Sequence, residues 1–226
     1  MSRRRRSSPA EGRSRAYRGH PAGEADRDAV SPDPVEPVQQ AREICLRLLA
    51  VRPRTRAELA TALRRRHVAD DVAEVVLDRF GEVGMIDDAL FAEAWVTSRH
   101  HGRGLARRAL GHELRRRGVD GATVSDALSR LDPVTEEQTA RALVVRKLRT
   151  VGDATPDAVV RKLAGMLARK GYPPGLAFRV IREVLDERPD VTRVMEQAGV
   201  DLDALSYEVD AESATVDIQE RYDSDT

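Results

Sequence analysis

The chain has 226 residues, with 38 Lys and Arg against 38 Asp and Glu, so its formal net charge is zero. That average conceals a division: residues 1–20 carry seven arginines and one acid, residues 41–185 carry 27 bases and 19 acids, and residues 186–226 carry three bases and 13 acids. An evenly neutral protein is excluded, as is a bilayer span, because no apolar run approaches the ~18–20 residues needed, and the single cysteine, Cys45, can form neither an internal disulfide nor a zinc cage.

Residues 1–37 read as a disordered basic, proline-rich tail. They lack apolar periodicity, and Pro32, Pro34 and Pro37 interrupt any helix. Arg3 to Arg6 are followed by polar Ser, Pro, Gly and Glu rather than by an apolar core, so a secretory signal is not expected and a cytoplasmic setting is. Contact with nucleic acid and a solvated tail are the two readings open to these arginines.

From residue 38 the pattern turns helical, with no convincing strand alternation. Ile44, Leu48 and Val51 recur at helical spacing before Pro53 breaks the chain. Thr55 with Glu58 has the form of a capping box ahead of a second helix that buries Leu59 and Leu63. A third helix, opened by Asp70 and Asp71, buries Val72, Val76 and Phe80.

This arrangement repeats. Leu59, Leu63, Val68, Leu77 and Phe80 return 51 residues later as Leu110, Leu114, Val119, Leu128 and Leu131, and 53 residues after that as Leu163, Leu167, Tyr172, Ile181 and Val184. The predicted fold is therefore all-α, an elongated array of three tandem three-helix repeats over residues 38–86, 87–132 and 133–187, stacked as in solenoids. Asp87 and Asp88 open the second repeat as helix caps, and Pro133 fits the first turn of the third. Residues 188–226 form an acidic tail that admits one short helix over 190–198.

A basic tip precedes each turn: Arg64, Arg65 and Arg66, then Arg115, Arg116 and Arg117, then Arg169 and Lys170. Gly118 and Gly171 follow the second and third tips, where a helix end needs a left-handed residue, and His67 holds that place in the first. From Arg99 to Arg117 the chain also holds Arg103, Arg107 and Arg108, with Glu113 as the only acid, while Gly102 and Gly104 place a turn between two helices. Acids at i±4 are mostly missing, which favours a phosphate-binding or acid-binding surface over a solvated face. Stacked repeats can align these tips into one basic track, and the acidic tail can fold back on it.

Other chemistries find little support. His100, His101 and His112 lack ligand spacing, so no metal is expected. No glycine-rich phosphate loop or activated nucleophile stands out, so neither an enzyme nor a cofactor is expected. Phe91 and Trp95 read as helix core, and aromatics at 4% of the chain argue against base-stacking platforms.

The stretch Gly84-Met85-Ile86-Asp87-Asp88-Ala89-Leu90-Phe91-Ala92, followed by Ser98-Arg99, Glu113-Leu114 and Gly118-Val119, resembles the RecX family. The third unit is similar as well, through Lys162-Leu163, Leu167 and Arg169-Lys170-Gly171-Tyr172. The likeness covers about residues 40–187. Ile86 stands where that family has leucine, and Gly102-Arg103-Gly104-Leu105 where it has Gly-aromatic-Gly-Pro.

The resemblance implies a non-enzymatic regulator of the recombinase RecA, and the lack of an isolated coiled-coil seam favours a monomer. Such a protein binds RecA filaments on single-stranded DNA, touches duplex DNA weakly, and inhibits ATP hydrolysis and strand exchange. The distribution of charge, rather than the resemblance, sets the residues expected to meet RecA or DNA: Arg64, Arg65, Arg66, Arg99, Arg103, Arg107, Arg108, Arg115, Arg116, Arg117, Arg169 and Lys170. Two alternatives stand beside it: a helix-turn-helix-like or sequence-nonspecific DNA-binding module, and a helical-repeat scaffold for protein interaction, which the repeats permit but which leaves the clustered arginines without a use.

Overall fold

The computed structural model describes residues 35–150 and 155–187. Among these residues the chain forms α-helices and no strand, in the order α1 (Val35–Val51), α2 (Arg56–Arg64), α3 (Asp70–Glu82), α4 (Asp88–Arg103), α5 (Arg107–Arg116), α6 (Gly121–Ser129), α7 (Pro133–Leu148), α8 (Pro156–Arg169) and α9 (Pro174–Asp186). The all-α tandem-repeat reading holds, with three helices to each unit. The expectations for residues 1–34 and 188–226, including the short helix over 190–198, lie outside the described residues.

α1 begins inside the stretch expected to be tail. Pro37 falls in its first turn, where a missing N–H removes no intrahelical bond, so this proline is compatible with the helix it was expected to break. Asp87, Asp120 and Asp132 cap α4, α6 and α7, their carboxylates accepting from the N–H groups of Leu90, Thr123 and Thr135 at 2.9–3.0 Å. α4 continues through Gly102 and ends at Gly104, so only the second of these glycines makes the turn.

In each repeat the first helix packs across the third, α1 on α3, α4 on α6 and α7 on α9. Each repeat closes its own apolar core, and the recurring apolar residues line it. Leu59, Leu63, Leu77 and Phe80 are buried in the first, Leu110, Leu114, Val119 and Leu131 in the second, and Leu163, Leu167, Tyr172, Ile181 and Val184 in the third. Removing these side chains from water is the main stabilising term within a repeat, at roughly 1.5–3 kcal/mol for each large one.

Two joints link the repeats, and they follow one design. The start of α2 seats against the tip of the second repeat, and the start of α5 against the tip of the third. At the first joint the Thr55 hydroxyl donates to the Arg117 carbonyl (2.6 Å), and the Arg56 N–H donates to the Asp88 carboxylate (2.9 Å). At the second, the Ala106 N–H donates to the Lys170 carbonyl (2.8 Å), and the Arg107 N–H donates to the Glu136 carboxylate (2.9 Å). In both, an acid at the start of the next repeat satisfies an N–H that the helix start leaves without an intrahelical acceptor. Asp88 therefore caps the preceding repeat rather than its own helix, whose cap is Asp87.

Candidate functional site

The joints bring basic tips from neighbouring repeats together. One open groove, of about 540 Å³, is lined by Arg52, Arg54, Arg65 and Arg66 from the first repeat and by Arg115, Arg116 and Arg117 from the second. Glu58 is the one carboxylate in its wall. A second groove lies between α5 and the third repeat, with Arg108, His112, Glu113, Arg116 and Arg169 around a floor that includes Leu105, Tyr172, Pro174 and Phe178. Arg116 lines both, so the two grooves share a wall.

The arginines fall into two groups. The framework group has internal partners. Arg117 pairs with Glu58, lies 3.8 Å over the Trp95 ring and 5.9 Å from the Phe91 ring, and is only one-quarter exposed. Arg99 lies over Trp95 at 4.0 Å and pairs with Glu113, whose carboxylate also accepts the Trp95 indole N–H at 2.8 Å. Trp95 thus contacts two guanidiniums, which makes it framework of the second repeat rather than an open stacking surface. Arg107 pairs with the buried Glu136 at 3.0 Å and donates to the carbonyls of Leu128 and Leu131. The acids absent at i±4 are therefore supplied largely by other helices.

The second group faces outward. Arg65, Arg66, Arg115, Arg116 and Arg169 are exposed and make no ion pair with any carboxylate among the described residues. Arg108 is also exposed and lines the second groove. Arg64 is exposed at the end of α2 but lines neither groove. Arg103 belongs to a separate groove with His100, His101, Thr139 and Arg146. Lys170 is half-buried, with its ammonium donating to the Arg103 carbonyl; burial, and then Arg146, pull its pKa down.

Arg52 and Arg54 line the first groove although sequence reasoning passed over them. Arg52 pairs with Glu58 at 3.0 Å, and Arg54 donates to the Leu48 carbonyl at 3.4 Å. The available signal was the 51-residue period, which sets Arg52 at the place of Arg103. The Thr55-to-Glu58 spacing is that of a capping box. Thr55 does accept the Glu58 N–H, at 3.1 Å, but the Glu58 carboxylate turns to Arg52 and Arg117 instead.

Burial shifts two titratable groups at the joints. Burial pushes the Asp88 carboxyl up, against the Arg56 N–H bond that pulls it down. The Tyr172 hydroxyl donates to the Gly104 carbonyl at 3.2 Å, and burial, with Glu136 nearby, raises its pKa. His100 is buried, with Nδ1 2.8 Å from the Leu105 carbonyl and Nε2 2.9 Å from the Thr139 hydroxyl, so it ties α4 to α7. No group of His, Cys, Asp and Glu among the described residues could hold a metal ion.

Comparison with known proteins matches all three repeats. Family models described as the first, second and third three-helix domains of RecX match residues 41–80, 87–128 and 135–181. The Regulatory protein RecX of Streptomyces coelicolor is 56% identical over 166 residues, covering 74% of this chain and 88% of that protein. That of Thermobifida fusca is 61% identical over 147 residues, covering 65% and 80%. A crystal structure of RecX from Lactobacillus salivarius superposes with a TM-score of 0.62 at 18% identity, covering 66% of this chain and 97% of that one, a likeness of fold.

Proposed function

The chain belongs to the RecX family, a family of regulatory proteins, and on that ground we propose that it inhibits the recombinase RecA by binding RecA filaments on single-stranded DNA. The observation that carries this reading is the convergence of Arg65, Arg66, Arg115 and Arg116, from two repeats, on one groove in which Glu58 is the lone carboxylate and is already held by Arg52 and Arg117. Excess positive potential in such a groove attracts phosphate oxygens or an acidic protein surface. The second groove, sharing Arg116, extends the basic surface toward Arg108 and Arg169. The protein acts by occupancy: it holds filament or strand and blocks growth and strand exchange, with no chemistry of its own.

Arg65, Arg66, Arg108, Arg115, Arg116 and Arg169 make the primary contacts. Arg107 and Arg117 hold the joints that place them and Arg99 braces the second repeat behind them, while Arg64, Arg103 and Lys170 contribute at the margins. Duplex DNA is bound weakly, through phosphate alone, and the protein acts as a monomer.

Co-sedimentation with RecA assembled on poly(dT) tests the reading. Wild type is expected to pellet with the filament, and a folded Arg115→Ala/Arg116→Ala variant to stay largely in the supernatant. Equal pelleting of the two would remove the grooves from the interface.

A further inference from the structure

The second groove differs from the first in having an apolar floor beneath its cations. Leu105, Tyr172, Pro174 and Phe178 lie there, with Arg108, His112, Arg116 and Arg169 around them and Glu113 as the one carboxylate, already held by Arg99 and the Trp95 indole N–H. A bare phosphate chain uses the cations and leaves the floor unused. A segment that intersperses acids with apolar side chains uses both. This chain carries such a segment in residues 201–210, Asp-Leu-Asp-Ala-Leu-Ser-Tyr-Glu-Val-Asp, which holds four acids, no base, and Leu202, Leu205, Tyr207 and Val209.

We propose that residues 201–210 dock in the groove between α5 and the third repeat, with their carboxylates on Arg116 and Arg169 and their apolar side chains on the floor, and so compete with nucleic acid for the basic surface. The proposal rests on the functional reading above, since it regulates the same site. Reach is no obstacle. Pro174 and Phe178 of α9 line the groove, and α9 ends eight residues after Phe178, about 12 Å along the helix at 1.5 Å per residue. The chain from Asp186 to Asp201 can then span up to about 50 Å. A tethered segment acts at an effective concentration of the order of millimolar, so a modest intrinsic affinity keeps it docked.

Charge argues in the same direction. Arg116 and Arg169 have no carboxylate partner among the described residues. The chain beyond α9 supplies a large excess of acid, with 13 acids against three bases over residues 186–226. Attraction between the two weakens with salt, since at about 1 M the screening length falls to about 3 Å.

The test uses the full chain. Ser206→Cys is labelled with a dansyl-type acceptor, and energy transfer from Trp95, the single tryptophan, is read. Cys45 is fully buried and its thiol pKa is raised by burial, which favours selective labelling at position 206. Docking predicts strong transfer at about 50 mM salt that is lost near 1 M, and lost as well when Arg116 and Arg169 are changed to Ala. Transfer indifferent to both salt and these substitutions overturns the proposal. A second variant, Asp201→Asn/Asp203→Asn/Glu208→Gln/Asp210→Asn, leaves the helical body untouched. It should bind an oligo-dT strand about tenfold more tightly than wild type at low salt, because the open groove is then no longer a minority state. Salt-sensitive, arginine-dependent transfer that oligo-dT fails to displace, with strand affinity unchanged in the second variant, would establish docking and count against nucleic acid as the ligand of the groove.

Discussion

Arg115, Arg116 and Arg117 are adjacent in the chain and do different work. Arg117 is drawn inward to Glu58 and Trp95, whereas Arg115 and Arg116 stay exposed on the groove wall. A run of three identical residues gave no means of telling them apart, because the distinction depends on which helix of the preceding repeat lies opposite. Arg117→Ala is therefore expected to cost about 1–3 kcal/mol, through the lost ion pair and cation–π contact. It should also shift the emission of Trp95, which would lose one of its two guanidinium neighbours. Arg115→Ala should stay within about 0.5 kcal/mol of wild type, as exposed substitutions do. Urea unfolding with the tryptophan as reporter reads both, and equal losses would contradict the division into framework and outward-facing arginines.

The helices were legible where a cap, a proline or a 3.6-residue stripe announced them. Asp87, Asp132 with Pro133, and the three recurring apolar sets all lie where the pattern put them. What pattern could not supply was the second partner of a capping residue. Asp88 and Glu58 have the spacing of local caps and instead serve the first joint, across 32 and 59 residues of chain. Capping also sets an acid limit on the fold. The Thr123 hydroxyl and N–H hold the Asp120 carboxyl below the usual carboxylate value, and the Thr135 N–H and hydroxyl do the same for Asp132. A carboxyl whose pKa is lowered on folding stabilises fully above its unfolded value, about 4, and loses that contribution as pH falls through the folded value. The urea midpoint should accordingly fall on acidification below about pH 4. It should fall less steeply in Asp120→Asn/Asp132→Asn, because asparagine caps without titrating. Identical acid profiles for variant and wild type would remove these caps from the account.

The whole array is set by the joints, and its first tip differs from the other two. Gly118 and Gly171 adopt φ of +78° and +85°, and a Cβ there would lie 2.3 Å from the Ala57 Cβ and 2.5 Å from the Ala109 nitrogen. Glycine is required at both by the neighbouring repeat as well as by the turn. His67 has φ +60° and is exposed. The sequence showed the Gly, Gly, His series, but only the joint explains it: glycine where a repeat is covered, histidine where the array begins. α8 runs a turn further than α2 and α5 and starts on Pro156, which has no N–H for a following repeat to cap. Gly171→Ala should thus destabilise by about 2 kcal/mol or more, from backbone strain plus collision with Ala109. His67→Gly should be neutral or mildly stabilising, by no more than about 1 kcal/mol; a large loss at His67 would mean that the first tip is also a packed joint. These joints bring arginines from successive repeats into two grooves that share a wall, and that surface is what the account sets against the RecA filament. The most direct test is RecA's single-stranded-DNA-dependent ATP hydrolysis, with RecA from the same source, DNA in excess over all binding sites, and this protein titrated in. The account predicts inhibition at substoichiometric protein, which competition for DNA cannot produce, and its loss in Arg115→Ala/Arg116→Ala. Undiminished hydrolysis at equimolar wild-type protein would contradict it.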